Sequence, residues 1–425
     1  MMEGWKEIAL NEIGWFKGAG VNKLINTDEQ PVYLVNYMDV YKHWRIYYNT
    51  NYQEVTAKDR EIKEANLLEG DVLFTPSSEK PIDIGHAGVV METMPNCVYS
   101  YHLIRLRLYD KTQFDLKYLS YLLNSDNVQK HFVSRASGSG IRYTLSLSDF
   151  KSAKIRFPKK SEQSAIAAIL SKVDEAIASV QASISAAERL KKSLMQNLLT
   201  GRMKPDGTLR KEDEFYVDEK FGRVPKGWGV KKVTEVADYV QYGLNQASSE
   251  KGKIPMLRMN NIVKGKMTNA PLVYVELNDS LLQQYKLEKG DILFNRTNSL
   301  DLVGKVGVFE LDGDYVFASY LIKVKVSKDN NPYFVNYALN SYPIQCSLRS
   351  KATPAVSQAN INSKSLRNTS IIIPTNKKEQ DEIVSRINNV ENEIINKQNK
   401  IAVLERLKKS LMQNLLTGRV RINKE

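Results

Sequence analysis

The segment Glu188–Arg202, ERLKKSLMQNLLTGR, returns unchanged at Glu405–Arg419. An exact 15-residue repeat at an offset of 217 constrains this 425-residue chain more than any other feature, because it commits two distant positions to one local structure. It is also the strongest part of a duplication that runs through nearly everything. Gly4-Trp5 is echoed by Gly227-Trp228, LEGDVLF (68–74) by LEKGDILF (287–294), and LIRLR (103–107) by LIKVK (321–325). YLLNS (121–125) returns as YALNS (337–341), and RFPKKSEQSAI (156–166) as IIPTNKKEQDEI (372–383). Solenoid repeats have periods of roughly 20–50 residues, so this longer period means two duplicated domains.

Each repeat has two parts. The first holds short runs rich in Val, Ile, Tyr and Phe between Gly, Pro, Asn and Asp, such as PVYLVNY, GDVLF, IPMLRMN and TSIIIP. These read as strands, with LKYLSYLLNS and YFVNYALNS as short helices among them, so an α+β globule is predicted. The second part is one long helix. Ile166, Leu170, Val173, Ile177, Val180, Ile184 and Ala187 alternate at spacings of four and three, a coiled-coil seam. Leu190, Leu194 and Leu198 extend it to Gly201, and Ile383, Ile387, Val390, Ile394, Ile401, Leu404, Leu411 and Leu415 repeat the pattern up to Gly418. About 38 residues make a rod of roughly 57 Å. Such a seam needs a partner, and the duplicate helix is the nearest. Antiparallel pairing, which places the globules at opposite ends, is the expectation. The predicted layout is a globule over 1–158, a helix over 159–201, a slack polar linker over 202–226, a second globule over 227–374, and a helix with its tail over 375–425.

The net charge of +13 points to a polyanionic partner, although its distribution is uneven. Residues 1–158 balance at zero and residues 227–374 carry +6, yet 135–160 forms a basic strip with Asp149 as its single acid. The N-terminus lacks the pattern of a signal peptide, and no apolar run approaches membrane-span length. Cys97 and Cys346 stand far apart, outside any CxxC pattern, which fits a reduced cytoplasmic protein.

Motifs for chemistry are missing. NNPYF (330–334) lacks the second proline of the [DNS]PP[YFW] turn of amino-methyltransferases and reads as a turn opening the helix YFVNYALNS. None of the three Gly-Lys pairs is followed by Ser or Thr, so no phosphate-cradling loop of a nucleotide-driven motor is present. Asp206 with Asp218, Glu219 and Lys220 has the letters of a carboxylate–lysine nuclease, but lies in the polar linker without apolar strands to hold it. His43, His86, His102 and His131 show no metal-ligand spacing. No catalytic residue and no metal ligand is assigned.

The ordered set of Gly-Trp starts, GD[VI]LF, the SLSDFKSAKIRFP and NINSKSLRNTSIIIP entries each followed by EQ, and LKKSLMQNLLTGR at both helix ends resembles the specificity subunit of type I restriction–modification enzymes. It does so over essentially the full length. That resemblance implies two target-recognition domains reading a bipartite DNA site, with the helices as spacer and no catalysis by the chain itself. It implies docking of two methyltransferase subunits that hold S-adenosylmethionine, and in the full complex two restriction subunits that use ATP and Mg2+. The 15-residue repeat then offers identical surfaces to two copies of one partner, through Lys191, Lys192, Gln196, Asn197 and their counterparts Lys408, Lys409, Gln413, Asn414. Recombination between duplicated DNA is a second cause of the identity. A free-standing tandem DNA-binding regulator and a coiled-coil structural adaptor are the rival readings.

Scaffold positions should agree between the repeats, while base-reading positions should differ. That contrast selects the loops after matched strands: Lys42, His43, Trp44 and Arg45 in YKHWR, and Ser77, Ser78 and Lys80 in TPSSEK. In the second repeat it selects Arg258, Asn260, Lys264 and Lys266, together with Asn295, Arg296, Thr297 and Asn298 in NRTNS. Arg suits guanine and Asn suits adenine. Arg135, Arg142 and Tyr143 in the Gly-Ser stretch, and Arg349, Lys351 and Gln358 opposite, are assigned first to phosphates. Trp5 and Trp228 read as core anchors.

Overall fold

The repeated motifs of the two globules carry their central buried positions. A computed structural model describes residues 4–18, 20–49, 51–354 and 358–422. The chain divides into two units, residues 1–182 with 398–425, and residues 183–397. Each therefore holds one globule, the first part of one long helix and the last part of the other.

In the first unit a five-stranded sheet runs in the order Gly14–Lys17, Ile104–Leu108, Val72–Phe74, Ala87–Val90, Arg45–Ile46. A four-stranded sheet orders Gln53–Ala57, Gln30–Val35, Met94–Tyr99 and Asn66–Leu67. The GD[VI]LF strand is central because Val72, Leu73 and Phe74 are all fully buried, as expected for a strand covered on both faces. Its Phe74 packs with Phe132 and Phe150, ring centroids 5.0–6.0 Å apart. In the second unit a six-stranded sheet begins Ala237–Tyr242, Leu321–Val326, Ile292–Asn295, Val306–Val308. Here Ile292, Leu293 and Phe294 repeat the central position.

Matched polar residues tie these parts together. Asn124, in the LNS motif, donates to the carbonyls of Ala87 and Ser120 and accepts from the Ala87 N–H. Its counterpart Asn340 does the same with Val306 and Asn336. Gln163, fully buried in the EQ motif, donates to the Pro158 and Gln113 carbonyls and accepts from the Asp115 N–H. Gln380 donates to the Pro374 carbonyl and to the Asn330 side-chain Oδ1, and accepts from the Asn331 N–H. A buried amide left unpaired is costly, so these asparagines and glutamines must recur wherever the same junction recurs.

The long helices span Lys160–Leu199 and Lys377–Leu415. Within the first unit, Ile166 and Leu170 share a core with Leu415 and Leu416, while Arg421 grips Glu162. Within the second, Leu198 and Leu199 share a core with Ile383, Val384 and Ile387. Within the first unit Glu162 meets Arg421 while Asp174 meets Lys408, and within the second Lys191 meets Glu391 while Leu198 meets Ile383. Each pairing is therefore antiparallel, as expected. Leu190, expected on the buried stripe, is half exposed at 50%, because the stripe passes to Leu194, Leu198 and Leu199.

The linker departs from expectation, since it is folded rather than slack. Phe215–Asp218 and Gly222–Pro225 form a hairpin whose Val224 joins the core. Arg210 donates to the carbonyls of Gly201 and Met203 at the helix end, pairs with Glu379, and lies 5.6 Å from the Trp228 ring. In the first unit Arg421 makes the same grip on Glu162, 5.9 Å from the ring of Trp5. Trp5 and Trp228 are both buried, at 8% and 4% exposure. NNPYF opens a helix, its Asn331 accepting from the Tyr333 and Phe334 N–H groups with Pro332 at the first position.

Candidate nucleic-acid interface

Each unit carries a small three-stranded sheet that begins just after its GD[VI]LF strand. In the first, Ser77–Ser78 pairs with Arg142–Thr144, which pairs with Ser137–Ser139. In the second, Thr297–Asn298 pairs with Ala359–Asn360, which pairs with Thr353–Pro354. The register makes Ser77 and Ser78 equivalent to Thr297 and Asn298, and Thr144 equivalent to Asn360. Both sheets grow from the end of the GD[VI]LF strand, so the invariant core positions them. Their residues differ.

The first sheet brings Ser77, Ser78, Arg142 and Tyr143 together. Arg142 is exposed and donates to Ser77 Oγ at 3.4 Å, while the Ser78 hydroxyl accepts from the Lys80 N–H. Arg135 follows the helix Asp126–Val133 on an exposed turn. Tyr37, absent from the sequence-based selection, donates to the Ser77 carbonyl and stacks on Tyr41, whose hydroxyl donates to Asp83.

The second sheet is built around Arg296. Its guanidinium lies 5.0 Å from the Tyr242 ring centroid and donates to Asn360 Oδ1 at 3.3 Å and to the Ser319 carbonyl at 3.4 Å. Asn360 in turn donates to Thr297 Oγ1. Against the upward push of burial, hydrogen bonding from Ser363 and the charges of Arg296 and Arg367 leave the Tyr242 phenol below its ordinary value. A forked cation held over an aromatic ring and by two hydrogen bonds suits recognition of a base edge or a phosphate. Tyr242 and Asn360 carried no local sequence signal, since they reach Arg296 from 54 and 64 residues away.

Several expected contacts lie elsewhere. Asn295 is 1% exposed and donates to the Leu302 carbonyl, so it belongs to the scaffold. Thr297 is nearly as buried, at 9%. Trp44 and Arg45 turn toward the long helices: Arg45 pairs with Asp174 at 3.6 Å and donates to Ser120, while Trp44 meets Tyr121 edge to face. Lys42 and His43 are exposed beside them in an open cleft of about 320 Å³. Lys266, the counterpart of Arg45 by strand pairing, binds Glu391 and Glu310. Tertiary packing, invisible to local reading, draws these cations to helix carboxylates. Arg258 precedes the short turn Met259–Asn261, Asn260 lies in it and Lys264 follows it. Arg349 and Lys351 end the helix Tyr342–Ser350 just before the small sheet, with Gln358 exposed on its far side.

Helix-end residues divide similarly. Lys408 pairs with Asp174 at 2.7 Å and lies 4.4 Å from the Trp44 ring. Lys191 pairs with Glu391 at 2.5 Å. Those two lysines, expected to face a partner, serve the fold. Burial, and then the hydrogen bond to Asp174, push the neighbouring Tyr121 phenol up to about 12. Asn197 donates to its own helix at the Ser193 carbonyl, and Asn414 is half-buried. Lys192, Gln196, Lys409 and Gln413 remain exposed. In the first unit, Lys409, Gln413 and Arg419 line a groove of about 360 Å³ with Asp126 and Lys130. Among the described residues no group of His, Cys, Asp and Glu could hold a metal ion, and no helix is long and apolar enough to cross a membrane.

Comparison with known proteins adds the relationship. The family model of the type I restriction modification DNA specificity domain matches twice, over residues 2–189 and 225–406. The type I restriction enzyme MjaVIII specificity subunit of Methanocaldococcus jannaschii is 26% identical over 391 residues, covering 88% of this chain and 83% of that protein. The putative MjaX specificity subunit of the same organism is 31% identical over 216 residues, 48% of this chain, and this match spans half of that relative. The type I restriction–modification S subunit from M. genitalium shares the fold with a TM-score of 0.53 at 15% identity, covering 99% of this chain and 97% of that one.

Proposed function

The chain belongs to the type I restriction–modification DNA specificity family, and on that premise we propose that each unit reads one half of a bipartite DNA target through its small three-stranded sheet. The chain is the targeting subunit and not itself the enzyme. It binds DNA and associates with the other restriction–modification subunits. Two methyltransferase subunits, each holding S-adenosylmethionine, dock on the repeated helix ends and methylate adenine in each half-site. Two restriction subunits, using ATP and Mg2+, complete the assembly in the cytoplasm.

One observation carries this reading: an invariant frame presents different residues. Asn124 and Asn340, Gln163 and Gln380, and Asp71 and Asp291 recur because they hold the frame. The sheet that the frame supports offers Ser77, Arg142 and Tyr143 in one unit and Arg296, Asn298 and Asn360 in the other. Two different half-sites call for that combination, since direct readout depends on the side chains at the groove.

The test is to map methylated bases by long-read sequencing of DNA from cells with and without this gene, supplying its methyltransferase. A bipartite adenine motif that disappears with the gene is the expected result. No change in any motif, with the methyltransferase expressed, sinks the reading and favours the regulator or the adaptor.

A further inference from the structure

Ser137–Ser139 and Arg142–Thr144 form a hairpin whose register, Ser139 opposite Arg142, leaves Gly140 and Ile141 as a two-residue turn. Gly140 takes φ +71°, the positive angle that a tight turn of the II′ kind demands at its first position. Gly138 lets the strands close, because a Cβ there would lie 2.2 Å from the Arg142 carbonyl oxygen. Such narrow backbone geometry puts Ile141 at the very tip, 87% exposed and the most exposed large apolar side chain among the described residues.

The surroundings of the tip are cationic. Arg142 follows it directly and Arg135 lies on the turn leading into the hairpin. His102 is held below the usual imidazole range by burial, then by the charges of Lys23 and Arg142, which places both cations near it. Asp83 is engaged by Tyr41 and His86, and Asp149 by Ser146. Glu79 is exposed beside Lys80, and the two charges offset each other.

The major groove is about 12 Å wide and admits a two-stranded ribbon, and the apolar group it offers is the thymine 5-methyl. A ribbon that enters tip first, with guanidiniums at its base to meet the phosphates, places its leading side chain deepest among the base edges. We propose that Ile141 reads a thymine methyl group in one half-site. This rests on the DNA-reading function above and assigns a chemical group to one residue of it.

The experiment uses the full chain with its methyltransferase subunit and duplexes carrying the mapped target. Each thymine of both half-sites is replaced singly by uracil, which removes the methyl and nothing else. The expected result is one position, in one half-site only, where uracil weakens binding about fourfold, the weight of one buried methyl group. Ile141→Ala shows no uracil penalty at that position, and Ile141→Val recovers part of it. Equal sensitivity in wild type and Ile141→Ala, no sensitive position, or half-sites without thymine each overturns the proposal while the DNA-reading function stands. If the wild-type complex prefers the mapped duplex no more than a scrambled one, the function itself fails and takes the proposal with it.

Discussion

Lys408, in the second copy of the repeated segment, sets its Nζ 2.7 Å from Asp174 of the opposite helix. Lys191, in the first copy, stands in the same relation to Glu391 at 2.5 Å. Both acids also receive a cation from the adjoining globule, Arg45 in one unit and Lys266 in the other. A carboxylate shared between a helix and a globule fixes the register of the pair. Replacing Asp174 with Ala should therefore destabilise the first unit by about 1 kcal/mol, since the pair is partly solvated. A double-mutant cycle with Lys408→Ala should show coupling of similar size. Urea titration of the complex measures both, and strictly additive effects exclude the proposed lock.

Lys192 and Lys409 behave differently, because they are exposed and pair with no acid among the described residues. Reversing both charges, Lys192→Glu with Lys409→Glu, should leave the unfolding midpoint unchanged and weaken methyltransferase association roughly tenfold or more. Sedimentation or co-purification measures the second effect. Unaltered association would leave recombination as the cause of the repeat's identity.

Much of this frame was legible beforehand, and the reasons are local. Heptad spacing from Ile166 to Ala187 and the runs around GD[VI]LF report burial directly, because burial selects apolar letters at a fixed period. The acids bear a sequence signal of their own: Asp174 and Glu391 are separated by 217, the offset of the 15-residue repeat itself. An aligned acid beside an apolar seam is a signal that apolar spacing alone passes over. By contrast, the place of Trp44, Arg45, Lys266 and Asn295 after a strand points to DNA, and the structure turns them inward. Which way a side chain leaves a loop is decided by packing against distant segments, as with Arg45 and Asp174, 129 residues apart. Arg296 with Tyr242 and Asn360 is likewise a tertiary assembly, so only its arginine could be singled out.

The buried ion pair of the first globule should matter more than the helix lock. Asp71 is 1% exposed and accepts two hydrogen bonds from Arg107, at 2.8 and 2.7 Å, besides one from the Leu68 N–H. Asp71→Ala leaves the guanidinium beside a buried void. A loss of about 3 kcal/mol, the lower end for a buried pair because Arg107 is 21% exposed and still donates to Asn66, is expected, read by denaturant unfolding. A loss below about 1 kcal/mol would show that solvent reaches this pair.

The two thiols should separate cleanly. Burial pushes Cys97 up to about 11, whereas Cys346 is exposed. A raised thiol is protonated below its own pKa, so at pH 8 only ~0.1% of Cys97 is thiolate, the reactive form. One fast-reacting thiol is expected in a disulfide-exchange assay on native protein, and two after denaturation. Two fast thiols in the native state would contradict the packing around Cys97.

Arg142 and Arg296 should fail in different ways. Arg142 is exposed, with one long hydrogen bond to Ser77, and so contributes charge more than geometry. Arg142→Ala should weaken all duplexes alike and lower the salt slope of binding by about 1. Arg296 is held by the Tyr242 ring, Asn360 and the Ser319 carbonyl, so its fork has a set direction. Its loss should cost about 1–3 kcal/mol on the target and relax preference at one base pair, with a smaller effect on unrelated DNA. Arg296→Lys should resemble Arg296→Ala, because an ammonium has no fork to present. Salt titrations on the target and on single-base variants decide between these outcomes. A uniform loss for Arg296→Ala, rescued by lysine, would make it a second phosphate contact and move base reading in that unit to Asn298 and Asn360.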